Sequence, residues 1–500
     1  MIPVLKSNQI READAYTIRH EPVNSLFLME RASKAFVQKF LQIYKKKKLV
    51  KVFSGTGNNG GDGLAIARLL FEKGYIVDVF ILGEPEKGSP DFSENYQRLP
   101  VNPKILDKEA EMPVLEPGAV VIDGIFGSGL SRPVEGFYAH VIDHINQSGC
   151  SVVSIDIASG LFADQNPGEG SIMIPEATIS FQVPKLVFFQ PELVRYVGEL
   201  HIVDIGLDKD FLASVETSFH FLEKKDIQQI LPVRKKYAHK GDAGRLRIVA
   251  GSKGKMGAAI LAAKASLRAG VGLLFVQAPE FGVPIVQQSV TEAMAIPDIG
   301  EDFIKEIHAG TEDVIGLGPG LDTKENTKEA LKKFLENCKK DQKLVLDADA
   351  LNILSENKDL LKLLPEDSIL TPHPGEFKRL VGAWKDDFQK LEILREFCTN
   401  YKINLVLKGA HSAICSKEGK IYFNSTGNPG MATGGAGDVL FGMICGLYSQ
   451  KISAENALIS GVYLHGLAGD LAARQLTEHA VIASDLIDFL PAAMKDILVN

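Results

Sequence analysis

The sequence predicts an α/β fold built twice, each time as a parallel sheet with helices on both faces. Three observations carry that expectation. Near-continuous Val/Ile runs alternate with stretches at helical spacing, the pattern of strands buried on both sides. Runs in the second half finish in Gly, Asp, His or Pro, as strand C-termini do where they line a ligand crevice. The chain's 500 residues exceed one core, because single cores stop growing near ~250–300 residues.

In chain order, residues 8–46 read as helices ahead of the first strand. The strand runs of the first half are LVKVFSG (49–55), YIVDVFILG (75–83), AVVIDGIFG (119–127), SVVSIDIASG (151–160) and ELHIVDIG (199–206). Apolar stretches at helical spacing, such as Leu64 to Phe71 and Phe137 to Ile145, lie between them. The second half repeats this grammar from RLRIVAG (245–251) through LLFVQAP, DVIGLGPG, KLVLDADA, SILTPHPG and NLVLKGA. Between the halves, residues 206–227 lack both periods and shift towards charge. The domain boundary is therefore expected near residue 215, giving domains 1–215 and 216–500. The halves share architecture but not motifs, so they are not a repeat.

The formal charge of −8 argues against a nucleic-acid binder, which needs a dense basic face. The one basic run, Lys45 to Lys48, closes a helical pattern, where cations suit the helix C-terminus. An anionic ligand must then be held by backbone N–H groups. Five cysteines (Cys150, Cys338, Cys398, Cys415, Cys445) without C-x-x-C spacing argue against a disulfide framework or zinc and fit a reducing cytosol. The first twenty residues carry charge where a secretory signal is apolar. The best membrane candidate, Met431 to Ser449, contains Asp438 and five glycines and reads as a buried helix start. A soluble, cytoplasmic homo-oligomer without membrane contact is the expectation.

The first chemical motif is VFSGTGNNGGDGLAIARLL, a strand, a glycine-dense turn and an amphipathic helix. Gly55, Gly57, Gly60 and Gly61 let the backbone approach a ligand, and the helix start offers N–H groups and a positive dipole end to a phosphate. No Gly-Lys-Ser/Thr follows, which excludes a triphosphate P-loop, and the G-x-G-x-x-G spacing is met only loosely. A plain tight turn would not need Asn58, Asn59 and Asp62 as well. Asp123 precedes a second glycine loop, and Asp156 is followed by Ser159. Strand-end aspartates are common helix caps, but Asn59, Asp123 and Ser159 together make an all-oxygen set suited to a hard cation.

GTGNNGGDG, IDGIFGSGL and DIASG, in this order, resemble the NAD(P)H-hydrate epimerase domain, a Rossmann-like three-layer fold, over most of residues 1–210. The resemblance implies that Asn58, Asn59, Gly60, Gly61 and Asp62 bind the hydrated cofactor. It implies that Gly127, Ser128, Gly129, Leu130, Ser131, Arg132 and Pro133 close over it. Asn59, Asp123 and Ser159 would hold K⁺, and Asp156 would act at the nicotinamide end as the catalytic residue. Ala158 stands where the family usually has Pro, which loosens the turn and bears on the tightness of ion binding.

The second motif, NSTGNPGMATGGAGDVLFGMICGL (424–447), turns through Gly434, Gly435 and Gly437 into an apolar helix. Such a turn makes a nest of N–H groups for developing negative charge. Asp438 there is either an N-terminal charge worth ~0.3–1 kcal/mol or a general base beside the phosphate. Gly316, Gly318 and Gly320 form another close-approach loop. Asp347 and Asp349, one residue apart, are expected on one side of a strand, as a structural pair or as carboxylates holding Mg²⁺ through water. His373 lies between two prolines, and Lys408 ends another strand.

This half resembles the ADP-dependent NAD(P)H-hydrate dehydratases of the ribokinase-like superfamily, on GSKGKMGAA, GLGPG, LDADALN, TPHPGE, LKGAHS and NPGMATGGAGD. The resemblance implies that Lys408, Gly409, Ala410, His411, Ser412 and Gly437 bind the adenine nucleotide. Ala258, Gly320, His373 and Asp438 would contact the hydrate. Ala436 replaces a frequent Thr or Ser but keeps the backbone nest. The implied activity is repair: epimerisation of the R and S hydrates of NADH and NADPH, and dehydration of the S form with ADP, releasing AMP and phosphate. K⁺ and Mg²⁺ are the implied ions. Two rivals remain: a vitamin-precursor kinase, which leaves the first domain unexplained, and a nucleotide-binding or RNA-associated scaffold without turnover, against which the acidic balance argues.

Overall fold

A computed structural model describes residues 1–21, 23–45, 48–107, 112–308 and 314–499. Residues 46 and 47 of the basic run lie outside the described residues. The chain divides into two compact units, one of residues 2–217 with 386–388, the other of residue 1 with 218–385 and 389–500.

In the first unit the chain enters through two helices, α1 (Ser7–His20) and α2 (Ser25–Ile43). Seven parallel strands follow: β1 (Leu49–Ser54), β2 (Ile76–Leu82), β3 (Lys104–Leu106), β4 (Val120–Gly124), β5 (Ser151–Ile155), β6 (Ala177–Phe181) and β7 (Glu199–Val203). Their spatial order is β3-β2-β1-β4-β5-β6-β7. Alternation along the strands separates two cores. Val50, Val52, Val120 and Ile122 pack with Phe36 and Phe40 of α2 and with Leu64 and Leu70 of α3 (Asn58–Glu72). Phe53 and Val121 face the other way, onto Val141, Ile142 and Ile145 of α4 (Gly136–Gln147). The strand order reverses between β1 and β4, and a reversal of this kind opens a crevice at the strand C-termini. Strands β3 and β6 have no counterpart among the expected runs.

The second unit's strands are β8 (Phe219–Phe221), β9 (Arg245–Val249), β10 (Leu273–Ala278), β11 (Met294–Pro297), β12 (Val314–Leu317), β13 (Lys343–Leu346), β14 (Ile369–Leu370), β15 (Asn404–Leu407), β16 (Ala413–Cys415) and β17 (Ile421–Phe423). They run in the order β8-β17-β16-β15-β14-β13-β12-β9-β10-β11. From β11 to β15 the sheet is parallel, and β16 is antiparallel to both neighbours. Here the reversal lies between β9 and β12. Residues 206–227, where the sequence shows no period, hold helix Lys209–Ser214 and strand β8 and enter helix Lys224–Ile230. Elements this short carry too few residues to display a period.

One face of that sheet is covered by α5 (Met256–Arg268), α8 (Ala436–Tyr448), α9 (Ala454–Leu476) and α10 (Ala483–Leu498); two further helices, α6 (Ala348–Glu356) and α7 (Pro374–Val381), follow β13 and β14. The stretch 431–449 is thus largely α8, and among the described residues no helix is long and apolar enough to cross a membrane.

Helix α8 lies backbone to backbone on α5. A Cβ at Gly442 would stand 2.1 Å from the Ala262 carbonyl oxygen, and one at Gly446 would stand 2.6 Å from that of Ser266. Gly442→Val should therefore push the helices apart, costing ~1–3 kcal/mol by overpacking. Gly257→Ala, at a helical position with nothing within 4 Å of its Cβ, should be neutral or stabilising. Urea unfolding of the whole chain, followed through the second unit's transition, compares the two; equal midpoints would refute the packing argument.

Candidate functional site

The first crevice opens where β1 and β4 end. Gly55 N–H donates to the Gly124 carbonyl at 3.1 Å, closing the two strand ends together. The chain then turns back so tightly that a Cβ on Gly60 would stand 1.8 Å from the Gly55 carbonyl oxygen. Only glycine allows that approach. Helix α3 begins at Asn58 behind Gly57, and no side chain caps it, so its first N–H groups remain available to an anion.

A cavity of about 550 Å³ lies over this turn. Asn58, Asn59, Asp62, Gly127, Ser128, Gly129, Leu130 and Asp156 line it. Gly60 and Gly61 form the buried turn of α3 behind the wall. Ser131, Arg132 and Pro133 continue beyond the lining residues and are exposed. Sequence reasoning missed two of the charged walls, Asp14 of α1 and Lys185 after β6. Asp156, at φ 64°, accepts from Phe181 N–H at 3.0 Å and Ser180 Oγ at 3.3 Å, and forms an ion pair with Lys185. Lys185 is only 1% exposed.

Negative charge outweighs positive on this wall. Burial, then the nearby Asp156, push the Asp14 carboxyl up to about 6, with Lys185 pulling the other way. Burial first, then Asp156, Asp14 and Asp91, raise Asp62 well above the usual carboxylate range.

Behind the cavity, Asp123 is fully buried and accepts four hydrogen bonds: Ser159 Oγ at 2.5 Å, Ser154 Oγ at 2.8 Å, Ser159 N at 2.9 Å and Ile125 N at 3.3 Å. Burial raises its pKa and these donors oppose the rise. Asn59 Nδ2 donates to the Phe126 carbonyl at 2.9 Å, and Phe126 N–H donates to Ser159 Oγ at 2.8 Å. Asn59, Asp123 and Ser159 thus meet around Phe126.

The second crevice opens where β9 and β12 end. Gly251 N–H donates to Pro319 O at 2.9 Å and Gly318 N–H to Val249 O at 3.3 Å. A Cβ on Gly320 (φ 61°) would stand 2.8 Å from Lys255 O and 3.5 Å from Ala258 Cβ, so Gly320 and Ala258 adjoin. Gly318 approaches Asp347 more closely, with 1.8 Å between its virtual Cβ and the Asp347 carbonyl oxygen.

Asp347 and Asp349 do not sit on one side of a strand. Strand β13 stops at Leu346, Asp347 is the extended N-cap of α6, and Ala348 turns the chain through φ 48°. The nearly buried Asp347 pairs with Lys408 Nζ at 3.0 Å. Asp349 Oδ2 accepts from Asp322 N at 2.8 Å and pairs with Lys255 Nζ at 3.3 Å.

Lys408 leads to the start of α8, since a Cβ at Gly437 would stand 3.5 Å from Lys408 Nζ. Helix α8 is preceded by left-handed Gly435 (φ 92°) and has no side-chain cap. Gly434 is exposed, and Gly437 and Asp438 are half-buried, so the nest opens outwards. Burial first, then Asp347 and Asp349, lift the Asp438 carboxyl to about 6, with Lys408 opposing them. From α9, which sequence reasoning did not implicate, half-buried His465 holds this first turn through Nε2 at 3.0 Å from the Ala436 carbonyl oxygen; desolvation pushes its pKa down to about 4.

The remaining expected residues follow the ends of β14 and β15. His373 is 52% exposed and caps α7, its Nδ1 accepting from Gly375 N at 3.0 Å while Glu376 Oε2 accepts from His373 N at 2.8 Å. The preceding Pro372 carbonyl accepts from Lys408 N–H at 3.0 Å. Gly409 and Ala410 are exposed, and Ser412 Oγ closes their turn onto Gly409. His411 Nδ1 lies 2.9 Å from the Asn424 carbonyl, and burial lowers its pKa.

Two family models match the chain: YjeF-related protein N-terminus over residues 25–187, and NAD(P)H-hydrate dehydratase over residues 246–492. A bifunctional NAD(P)H-hydrate repair enzyme of Coxiella burnetii is 36% identical, covering 98% of this chain and 99% of that protein. One of Escherichia coli is 32% identical, covering 93% and 88%. Among solved structures, a ribokinase-like superfamily protein of Enterococcus faecalis is 28% identical with a TM-score of 0.50, covering 57% of this chain and 98% of that one. With both units matched and the relatives aligned over nearly its whole length, the chain belongs to the family of bifunctional NAD(P)H-hydrate repair enzymes.

Proposed function

We propose that this chain repairs hydrated nicotinamide dinucleotides, epimerising the hydrate in the first unit and dehydrating its S form with ADP in the second. The observation that carries the reading is Asp438 at the uncapped start of α8, between a nest of N–H groups and Lys408. That start has the parts of a phosphoryl-transfer site: donors for anionic oxygens, a cation and a carboxylate that titrates near neutrality.

Hydroxide is a poor leaving group and phosphate a good one. Asp438 takes the proton of the substrate hydroxyl as its oxygen attacks the terminal phosphorus of ADP, and AMP departs. The N–H groups before and within the first turn of α8, with Lys408, hold the transferring oxygens. The phosphate ester then loses phosphate from one carbon and a proton from the next, giving the dihydronicotinamide. The products are NAD(P)H, AMP and phosphate. A shaped crevice accepts one epimer, and the first unit supplies it from the other.

Two ions fit the donors present. Asn59, Phe126, Asp123 and Ser159 offer carbonyl, carboxylate and hydroxyl oxygens, the chemistry of a K⁺ site. In the second crevice three aspartates stand with two lysines, a surplus that favours Mg²⁺. Among the described residues no three carboxylate, histidine or cysteine side chains could hold a metal. Mg²⁺ would therefore be bound mainly through nucleotide phosphates and water, its usual mode, and would supply charge neutralisation at the phosphate.

Both hydrate epimers, supplied with ADP or ATP and followed at the absorbance of reduced nicotinamide, test the reading. Complete conversion of both epimers supports it, and a stable phosphate ester without reduced nicotinamide overturns it. Asp438→Asn should slow dehydration by ~10²–10⁴-fold and leave epimerisation unchanged. Because the base form is lost as pH falls through about 6, wild-type dehydration should decline below that pH. The same raised pKa means that ionised Asp438 weakens the fold at neutral pH, so Asp438→Asn should raise the second unit's unfolding midpoint at pH 7. Ser159→Ala should raise the K⁺ needed for half-maximal epimerisation by ~10-fold or more and leave dehydration untouched.

A further inference from the structure

We propose that Asp14 is a second catalytic carboxyl of the epimerase cavity, the proton donor that works against Asp156 as acceptor. The inference rests on the epimerase reading of the first unit. Both residues line the same cavity, yet they are held differently. Asp156 is fixed by the Lys185 ion pair, the Phe181 N–H and the Ser180 hydroxyl. The Asp14 carboxyl makes no hydrogen bond or ion pair among the described residues. The charged groups around it are Asp156, Lys185 and Asp62 of α3, which line the same cavity, and Arg11 one turn back on its own helix. Two carboxyls with unequal surroundings are the arrangement that divides acid from base. Burial and the neighbouring Asp156 keep Asp14 protonated up to about pH 6.

Water adds across the enamine double bond of a dihydronicotinamide with its oxygen on the carbon beside the ring nitrogen. Inverting that carbon requires its C–O bond to break and to form again from the other face. Asp14 gives its proton to the hydroxyl, the C–O electron pair leaves with water, and the ring nitrogen's lone pair makes a C=N⁺ bond. A water then adds from the opposite face, its electron pair forming the new C–O bond and its proton passing to Asp156. The nitrogen recovers its lone pair, no electrons are gained or lost, and solvent returns the proton to Asp14. In the reverse direction the two carboxyls exchange roles.

The full-length protein serves for the test, with dehydration of the S hydrate as an internal measure of folding. Asp14→Asn should lower the epimerisation rate by ~10²-fold or more, while hydrate affinity changes by less than threefold and dehydration persists. Asp14→Glu should restore part of the rate. The wild-type rate should fall as pH rises through about 6, and that limb should vanish in Asp14→Asn. In ¹⁸O-water the inverted epimer should carry one ¹⁸O per turnover. An Asp14→Asn rate above one third of wild type with an unmoved pH limb overturns the role of Asp14. Retention of ¹⁶O overturns the C–O cleavage. If wild type itself does not accelerate interconversion, the epimerase reading fails, and this assignment with it.

Discussion

Each crevice gathers more negative charge than it neutralises. In the first, Asp14, Asp62 and Asp156 share one buried lysine, Lys185. In the second, Asp347, Asp349 and Asp438 stand with Lys408 and Lys255. Asp14 and Asp62 absorb the imbalance in one and Asp438 in the other: Asp14 and Asp438 rise to about 6, and Asp62 well above the usual carboxylate range, through burial and like-charged neighbours. A carboxyl at its ordinary value is a weak base at neutral pH and a negligible acid. Lifting it towards neutrality makes proton transfer in either direction affordable. In the proposed reactions the surplus charge serves proton transfer at a cost in stability.

The backbone that carries these groups is fixed by approaches closer than any side chain permits. Gly60 over the Gly55 carbonyl, Gly318 over the Asp347 carbonyl, and Gly442 over the Ala262 carbonyl each leave no room for a Cβ. The first two set crevice floors at the points where strand order reverses. The third seats α8 on α5, so the nest at the start of α8 is anchored two turns deeper in the core. His465 then holds the first turn from α9. Rigid support of this kind lets unsatisfied N–H groups stay aimed at a ligand rather than collapse onto a neighbour.

This division explains what was legible in the sequence. Glycine turns and strand-end aspartates are local, so GTGNNGGDG, GLGPG and NPGMATGGAGD could be read directly, and the long buried strands declared themselves by Val/Ile content. Strand β6, Ala-Thr-Ile-Ser-Phe, did not, because Thr178 and Ser180 are buried polar positions satisfied by Val197 O and by Asp156 and Lys185. Strands β14 and β16 are two and three residues long; β14 was found only through the motif that follows it. The Asp347/Asp349 pair misled because strand periodicity was extended three residues beyond the strand's end at Leu346, past the left-handed turn at Ala348. Asp14 and Lys185 have no motif of their own. One lies on an ordinary amphipathic helix and the other in a loop after β6, and only the folded sheet brings them to Asp156.

The same charge balance accounts for how a nucleotide can be admitted to the second crevice. An ADP phosphate approaching Asp438 adds negative charge beside a carboxyl already raised to about 6. Unopposed, it would favour the protonated form of Asp438, the base of the proposed reaction. Three features of the site oppose it. The N–H groups at the start of α8 and the helix dipole meet the phosphate oxygens. Lys408, now paired with Asp347 at 3.0 Å, lies close enough to Gly437 to turn towards the phosphate. That move, however, would leave Asp347 buried without its partner, a penalty of several kcal/mol. A divalent cation bound with the nucleotide would ease the conflict, since it would neutralise phosphate charge while Lys408 stayed with Asp347. In the proposed reaction a need for a divalent cation would follow from the buried Asp347–Lys408 pair more than from any set of ligands among the described residues, and would be coupled to the ionisation of Asp438.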